Sequence, residues 1–229
     1  MNNYVVATIK SWNIKRFQQY CVDDESHKFY LITDKSELTY ERLRELNPRF
    51  VFFPHWSWII PQEIYENFEC VVFHMTDLPF GRGGSPLQNL IVRGIYKTKV
   101  SALRVERGLD TGDIYMKYPV DISNGNADEI FTKISDIVFK EMIPDIIRNE
   151  PIPIPQEGEG IAFSRRKQEQ SEMPPDLSQR QMYDFIRMLD GEGYPAAFQR
   201  YGNGKLEYRN AELVNGKLRA NVNYVEEKE

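Results

Sequence analysis

Three histidines and two cysteines, His27, His55, His74, Cys21 and Cys70, are all that the 229-residue chain offers for imidazole, thiolate or zinc chemistry. His74 is the best placed of them. It closes an apolar, β-branched run, Cys70-Val71-Val72-Phe73, and is followed by Pro79 and a glycine-rich turn. The loop at a strand's carboxyl end is where an α/β sheet carries its reactive groups. Asp110, within Gly108-Leu109-Asp110-Thr111-Gly112, is a carboxylate on a second such loop. Each residue alone has a plain structural reading, because a strand-end histidine can bond a backbone carbonyl and Asp-Thr-Gly is a common turn. Together they suit acid–base work, since a neutral imidazole needs a partner to fix its tautomer before it takes or gives a proton. His27 and His55 have no motif around them. Neither a zinc site nor a disulfide framework has enough Cys and His to build on, and no metal is expected.

The elements that must position this pair alternate over the first 150 residues. Tyr4 to Ile9, Lys28 to Thr33, Arg49 to Pro54 and Cys70 to Phe73 read as strands; Ile14 to Cys21, Thr39 to Leu46 and Gln62 to Phe68 read as helices. Repeated β-α-β units predict an α/β class: a Rossmann-like, mostly parallel sheet with helices on both faces. Ser85-Pro86 predicts a helix start, with Ser85 as N-cap, for a helix from Leu87 to Arg93. Strands follow at Val100 to Val105 and Ile114 to Val120, then a long helix from Ala127 to Arg148 with a disturbance expected at Pro144. Pro151, Pro153 and Pro155 mark an extended connector. Beyond it, a helix at Ser178 to Leu189 and two strands joined by Asn215-Gly216 predict a small C-terminal α+β subdomain. The expected division is residues 1–160 and 161–229, with a frayed tail at Glu226-Glu227-Lys228-Glu229.

Apolar residues at 41% and charged residues at 28% are ordinary for a globular chain, which excludes disordered and disulfide-rich classes. A formal charge of -5 argues against a protein built chiefly to grip phosphates. The start of the chain lacks a secretory pattern and no run suffices to cross a bilayer, so a cytoplasmic protein without membrane or nucleic-acid partners is expected.

A resemblance then emerges. His74-Met75-Thr76-Asp77-Leu78-Pro79, followed by Arg82-Gly83 and Ser85-Pro86, resembles the Asn-x-His-x-Ser-Leu-Leu-Pro-x-x-Arg-Gly-x-x-Pro signature of N10-formyltetrahydrofolate-dependent formyltransferases. Gly108 to Ile114 is similar to the family's second motif, and Asp110 lies 36 residues after His74, a family-like spacing. Val51-Phe52-Phe53 and Ile59-Ile60-Pro61 are similar to the strand and loop that line its folate site. The likeness covers roughly residues 45 to 150. It implies N10-formyltetrahydrofolate as cosubstrate, with His74 and Asp110 catalytic. Trp58, Ile59, Ile60, Gly108 and Leu109 would face the folate. Thr76, Arg82, Gly83 and Gly84 would lie toward the acceptor, with Gln88 a further polar candidate. Whether Trp56 and Trp58 stack on the pterin or pack under the sheet edge stays open. Val72 stands where the family has asparagine, a side chain that helps hold the formyl oxygen; losing such a donor can cost about 10²–10³ in rate.

For the acceptor, about 65 residues follow Ser164, fewer than the basic barrel of methionyl-tRNA formyltransferases would need. Ser164-Arg165-Arg166-Lys167, Ile186-Arg187-Met188-Leu189 and Tyr194-Pro195-Ala196-Ala197-Phe198 resemble instead the tail of nucleotide-linked amino-sugar N-formyltransferases of the pseudaminic-acid type. That resemblance implies a UDP- or dTDP-linked amino-dideoxy sugar in surface-glycan biosynthesis, with the tail helix and hairpin able to form a homodimer interface. A glycinamide-ribonucleotide-type enzyme and a non-catalytic folate- or nucleotide-binding module are the alternatives.

Overall fold

A computed structural model describes residues 2–22 and 26–226; residues 227–229 of the expected frayed tail lie outside them. In chain order the elements are β1 (Asn3–Ala7), α1 (Ser11–Tyr20), β2 (Lys28–Ile32), α2 (Tyr40–Leu46), β3 (Pro48–Pro54), α3 (Gln62–Tyr65), β4 (Cys70–His74) and β5 (Phe80–Gly83). There follow α4 (Pro86–Val92), β6 (Lys97–Arg104), β7 (Ile114–Asp121), α5 (Ala127–Ile137), α6 (Ile143–Asn149), β8 (Ile161–Phe163), α7 (Gln179–Arg187), β9 (Ala197–Tyr201), β10 (Gly204–Val214) and β11 (Lys217–Glu226).

Six strands make the main sheet in the order β2-β1-β3-β4-β6-β7. β1 runs parallel to β2 and β3, and β3 parallel to β4, while β4 meets β6 antiparallel with His74 opposite Ser101. This is the α/β architecture the alternation predicts. β3 explains the centre: Phe50, Val51, Phe52 and Phe53 are each at most 2% exposed, the continuous apolar run of a strand covered on both faces. Local chemistry sets the helix ends. The Thr39 hydroxyl accepts from the Arg42 N–H at 3.2 Å, and Asn47 closes α2 with a left-handed φ of 45°. The long helix expected from Ala127 is interrupted by a π turn over Val138–Met142 before α6 begins. Pro144 has no N–H to donate back along the ladder, so the widened turn falls just ahead of it.

The chain divides into two units that interleave: residues 1–83, 98–120 and 132–162 form one, and residues 84–97, 121–131 and 163–229 the other. In the second unit, α7 opens with a reciprocal capping box between Ser178 and Gln181. β9, β10 and β11 form an antiparallel sheet, and the β10–β11 turn is Asn215-Gly216 with φ of 50° and 71°, the doubly left-handed pair a tight hairpin requires. Ser85 departs from its expected role. Its own φ is 50° and its Oγ accepts the Arg166 N–H at 3.0 Å, so α4 starts on Pro86 without a side-chain cap. Cys21 and Cys70 are buried and not joined by a disulfide, and burial pushes the Cys70 thiol well up. Among the described residues, no helix is long and apolar enough to cross a membrane.

Candidate active site

The first unit carries a cavity of about 470 Å³ beside the carboxyl ends of β3 and β4, within the range of small-ligand sites, roughly 300–1,000 Å³. Trp56, Trp58, Ile59 and Ile60 line it from the loop after β3; Leu103 and Val105 form its floor, and Gly108, Leu109 and Asp110 close it from the loop after β6. Ile59 and Leu109 are 90% and 68% exposed, a pair of large apolar side chains that only a ligand surface would cover. Trp56 packs edge-on against Phe53 and Trp58, with its Nε1–H buried. A slot lined by aromatic and aliphatic side chains suits the faces of a flat heterocycle such as a pterin. Val72 also faces the cavity and packs against Leu78, Leu103 and Ile114.

His74 ends β4 at 8% exposure. Its Nε2–H donates to the Gly81 carbonyl at 2.7 Å, a partner that can only accept and so sets the tautomer. On the other side of the ring, Nδ1 is 3.5 Å from Oδ2 of Asp110. That oxygen accepts the Gly83 N–H at 2.9 Å, a bond for which Gly83 adopts a φ of 101° open to glycine alone. Asp110 itself sits at φ 55°, left-handed and costly for a side chain that is not glycine, though aspartate tolerates it better than most. Its loop returns beneath it so tightly that a Cβ on Gly112 would stand 2.0 Å from the Arg104 carbonyl oxygen. The two loops therefore hold each other: β5 supplies a carbonyl to the histidine and an N–H to the carboxylate.

Beside this pair, Asn13 in α1 donates to Thr8 Oγ1 and to the Pro54 carbonyl, both at 3.1 Å, tying the end of β1 to the end of β3. His55 follows with a left-handed φ of 53° and its ring edge-on to Trp12. Burial lowers its imidazole to about 4, and the Lys10 charge pushes the same way. Asp77 is exposed enough that the burial cost on its carboxyl is outweighed by Lys117 at 2.6 Å and Lys99 at 3.1 Å, which hold it below the usual carboxylate range.

The other candidates are placed as follows. Thr76 is fully buried and its hydroxyl donates to the Gly81 carbonyl at 3.3 Å, so it braces the loop. The Arg82 guanidinium is engaged by Gln156. Gly84 and Gln88 belong to the second unit, where Gly84 donates its N–H to the Phe163 carbonyl and Gln88 donates to the Met188 carbonyl at 2.9 Å. Sequence reading overlooked Gln156, Asn13, and the cavity residues Leu103 and Val105. Of these only Leu103 and Val105 left a signal, an apolar strand-like run that leads into the Asp110 loop.

A mixed α/β sheet with a histidine and an aspartate on facing loops beside an apolar slot defines a class, and comparison with known proteins gives it a family. Residues 25–144 match the formyl transferase model, and residues 168–225 match the model of the methionyl-tRNA formyltransferase C-terminal domain. The chain belongs to the formyl transferase family of one-carbon transferases. It is similar to a solved methionyl-tRNA formyltransferase from Clostridium thermocellum, at 55% identity and a TM-score of 0.96, covering 99% of this chain and 100% of that one. A methionyl-tRNA formyltransferase of Nitratiruptor sp. is 38% identical over 51% of this chain and 39% of its own length. The chain thus spans well under two thirds of that curated relative. A sugar N-formyltransferase from Shewanella sp. shares the fold, with a TM-score of 0.72, at 17% identity over 94% of this chain and 100% of its own. Family membership supports a folate-type cofactor.

These findings overturn the acceptor expected from the tail. The pseudaminic-type resemblance, the nucleotide-linked amino sugar, the glycan-biosynthesis role, the glycinamide-ribonucleotide alternative and the exclusion of nucleic acid all give way to likeness with methionyl-tRNA formyltransferases. The tail itself, read as sugar-type, matches a tRNA-type C-terminal domain. Two arguments misled. A net charge of -5 says nothing of where the charges sit, and tail length does not identify the module that the tail builds.

Proposed function

We propose that the protein transfers the formyl group of N10-formyltetrahydrofolate to the α-amino group of methionyl-tRNA, a reaction of the cytoplasm. Residues 1–160 would carry the chemistry and residues 161–229 would serve the tRNA. The observation that carries the reading is that Asp110 belongs both to the cavity wall and to the contact with His74, so an apolar ligand slot and an acid–base pair meet at one residue. Likeness to the Clostridium thermocellum protein over nearly the whole chain supports the acceptor.

The cosubstrate supplies an activated one-carbon group at the formyl oxidation level, and the chain's residues manage the protons. Trp58, Ile59, Ile60, Gly108 and Leu109 would hold the folate and keep water from the reacting carbon. The amine attacks as the free base and must lose a proton as its bond to the formyl carbon forms; the bond from that carbon to N10 then breaks, and the departing tetrahydrofolate nitrogen takes up a proton. His74 would take the amine proton at Nδ1, the nitrogen the Gly81 bond leaves unprotonated, and Asp110, whose Oδ2 lies 3.5 Å from that same nitrogen, would stabilise the charge the ring acquires. Val72 offers no hydrogen bond to the formyl oxygen, so that oxygen is left to the His74 ring and to loop N–H groups.

The test is direct: incubate the protein with N10-formyltetrahydrofolate and Met-tRNA, and follow formylmethionyl-tRNA together with release of tetrahydrofolate. Turnover of methionyl-tRNA, with valyl-tRNA and free methionine inert, is the expected result. Folate binding with no formylation of methionyl-tRNA would overturn the acceptor.

A further inference from the structure

Gln156 lies in the proline-rich connector, outside every motif, yet all four hydrogen-bonding positions of its amide are filled by the two loops of the candidate site. Its Oε1 accepts from Arg82 Nε at 3.1 Å and from Arg82 Nη2 at 2.7 Å. Its Nε2 donates to the Asp110 carbonyl at 2.9 Å and to the Gly112 carbonyl at 2.8 Å. A guanidinium only donates and a carbonyl only accepts, so the amide has a single orientation that satisfies all four bonds.

The connector delivers this amide to a fixed place. Ile154 exchanges backbone hydrogen bonds with Ile114 at 2.8 and 3.0 Å, and Pro153 and Pro155 flank it with φ restricted by their rings. Gly160 passes so close to Arg82 that a Cβ there would lie 2.8 Å from Nη1. A ring of contacts results: His74 to Gly81, Arg82 to Gln156, Gln156 to Asp110, and Asp110 back to His74. Asp110 holds a left-handed backbone that persists only where its surroundings over-determine it, and the Gln156 bonds fix its own carbonyl and that of Gly112 two residues on.

We propose that Gln156 is a positioning residue for formyl transfer, an amide clamp that sets the distance and alignment between Asp110 and His74; this rests on the reading of those two residues as the acid–base pair. The clamp requires an amide. A carboxylate at 156 would still receive Arg82 but would turn bare oxygens toward two carbonyls, and a thioether would fill the space and bond neither loop.

Gln156→Glu and Gln156→Met are compared with the unaltered chain and with His74→Ala, using methionyl-tRNA and N10-formyltetrahydrofolate. Both Gln156 variants are expected to lower kcat by about 10–10²-fold with the folate KM within about two-fold, the signature of misplaced groups beside an intact pocket. In an Asp110→Ala background the same changes should cost almost nothing more, whereas a merely structural role would cost as much as before. Amide hydrogen exchange gives a readout that needs no substrate: the Gly83 N–H, which donates to Asp110, should exchange at least about tenfold faster in Gln156→Met while β3 amides keep their rates. Unchanged kcat and unchanged Gly83 exchange, with His74→Ala inactive, would overturn the clamp alone. Full activity in His74→Ala would overturn the acid–base pair, and the clamp with it. Were methionyl-tRNA not the acceptor, Gly83 exchange would still decide whether Gln156 holds the Asp110 loop.

Discussion

Two clusters of polar side chains, one in each unit, are built to different ends. In the first unit, His74, Asp110, Arg82 and Gln156 join two loops, and Asp110 lines the cavity. In the second, Arg187 is fully buried and bonds Asp184 at 2.6 Å, the Gly125 carbonyl at 2.9 Å and the Ile122 carbonyl at 3.0 Å. The other oxygen of Asp184 takes the Tyr96 hydroxyl at 2.6 Å and Arg180 Nε at 2.8 Å. Both clusters are dense in hydrogen bonds. The difference is that Arg187 bonds Asp184, Gly125 and Ile122, none of which lines the cavity, whereas the His74 set includes a carboxylate that does. Buried charge alone therefore marks structure as readily as function; what distinguishes a reactive cluster is an edge shared with empty space.

Substitutions can break this contrast or sharpen it. His74→Ala should lower kcat by about 10²–10⁴-fold while leaving the melting temperature nearly unchanged, as read by steady-state kinetics beside calorimetry. Arg187→Ala should do the reverse: it strands the Asp184 carboxylate among its remaining donors and should cost about 3–5 kcal/mol in urea unfolding. Loss of rate without loss of stability in that variant would erase the distinction drawn between the clusters. A smaller effect is expected of Gly112→Ala, where the new methyl meets the Arg104 carbonyl and the Asp110 loop must move. About 1–3 kcal/mol of stability, measured by urea unfolding, and a lower kcat should go together.

The smallest effect is a pH dependence. His55 is held neutral down to about 4 in the fold and takes a proton near 6.5 when unfolded. Its contribution to stability is thus fully present above pH 6.5 and is lost as pH falls toward 4, because the unfolded chain then binds the extra proton. Discounted for partial exposure of the residue, this amounts to about 1–2 kcal/mol. His55→Asn keeps a side chain that tolerates the positive φ and should flatten the melting temperature over that interval.

Much of this was legible in the residues because the determinants are local. The run Cys70-Val71-Val72-Phe73 could only be a buried strand, Ser178 with Gln181 caps α7 through neighbours three apart, and Asn215-Gly216 allows the turn it makes. His74 and Asp110 were legible as a pair because each follows a strand of the same sheet. Ser85 was misread as a cap because its hydroxyl is claimed by Arg166, 81 residues away, and no window of sequence reveals such a competitor. Gln156 was invisible for the same reason, with partners 46 and 74 residues distant and no periodicity to flag it. The short β5–β8 pairing escaped because β5 is four residues with two glycines and β8 only three residues, too brief for alternation to show.

By itself, then, the sequence determined the alternating α/β layering, the strand-end histidine, the turn aspartate and the apolar loop of Ile59-Ile60-Pro61, since propensity, pattern and turn chemistry act over a few residues. Tertiary structure alone decided that the Gly81 carbonyl selects the His74 tautomer, that the Gly83 N–H and Gln156 hold Asp110 against its own backbone preference, and that Arg187 is structural. Each of those outcomes is a competition among distant hydrogen-bonding groups for the same partner, and the winner is set by where the folded chain places them.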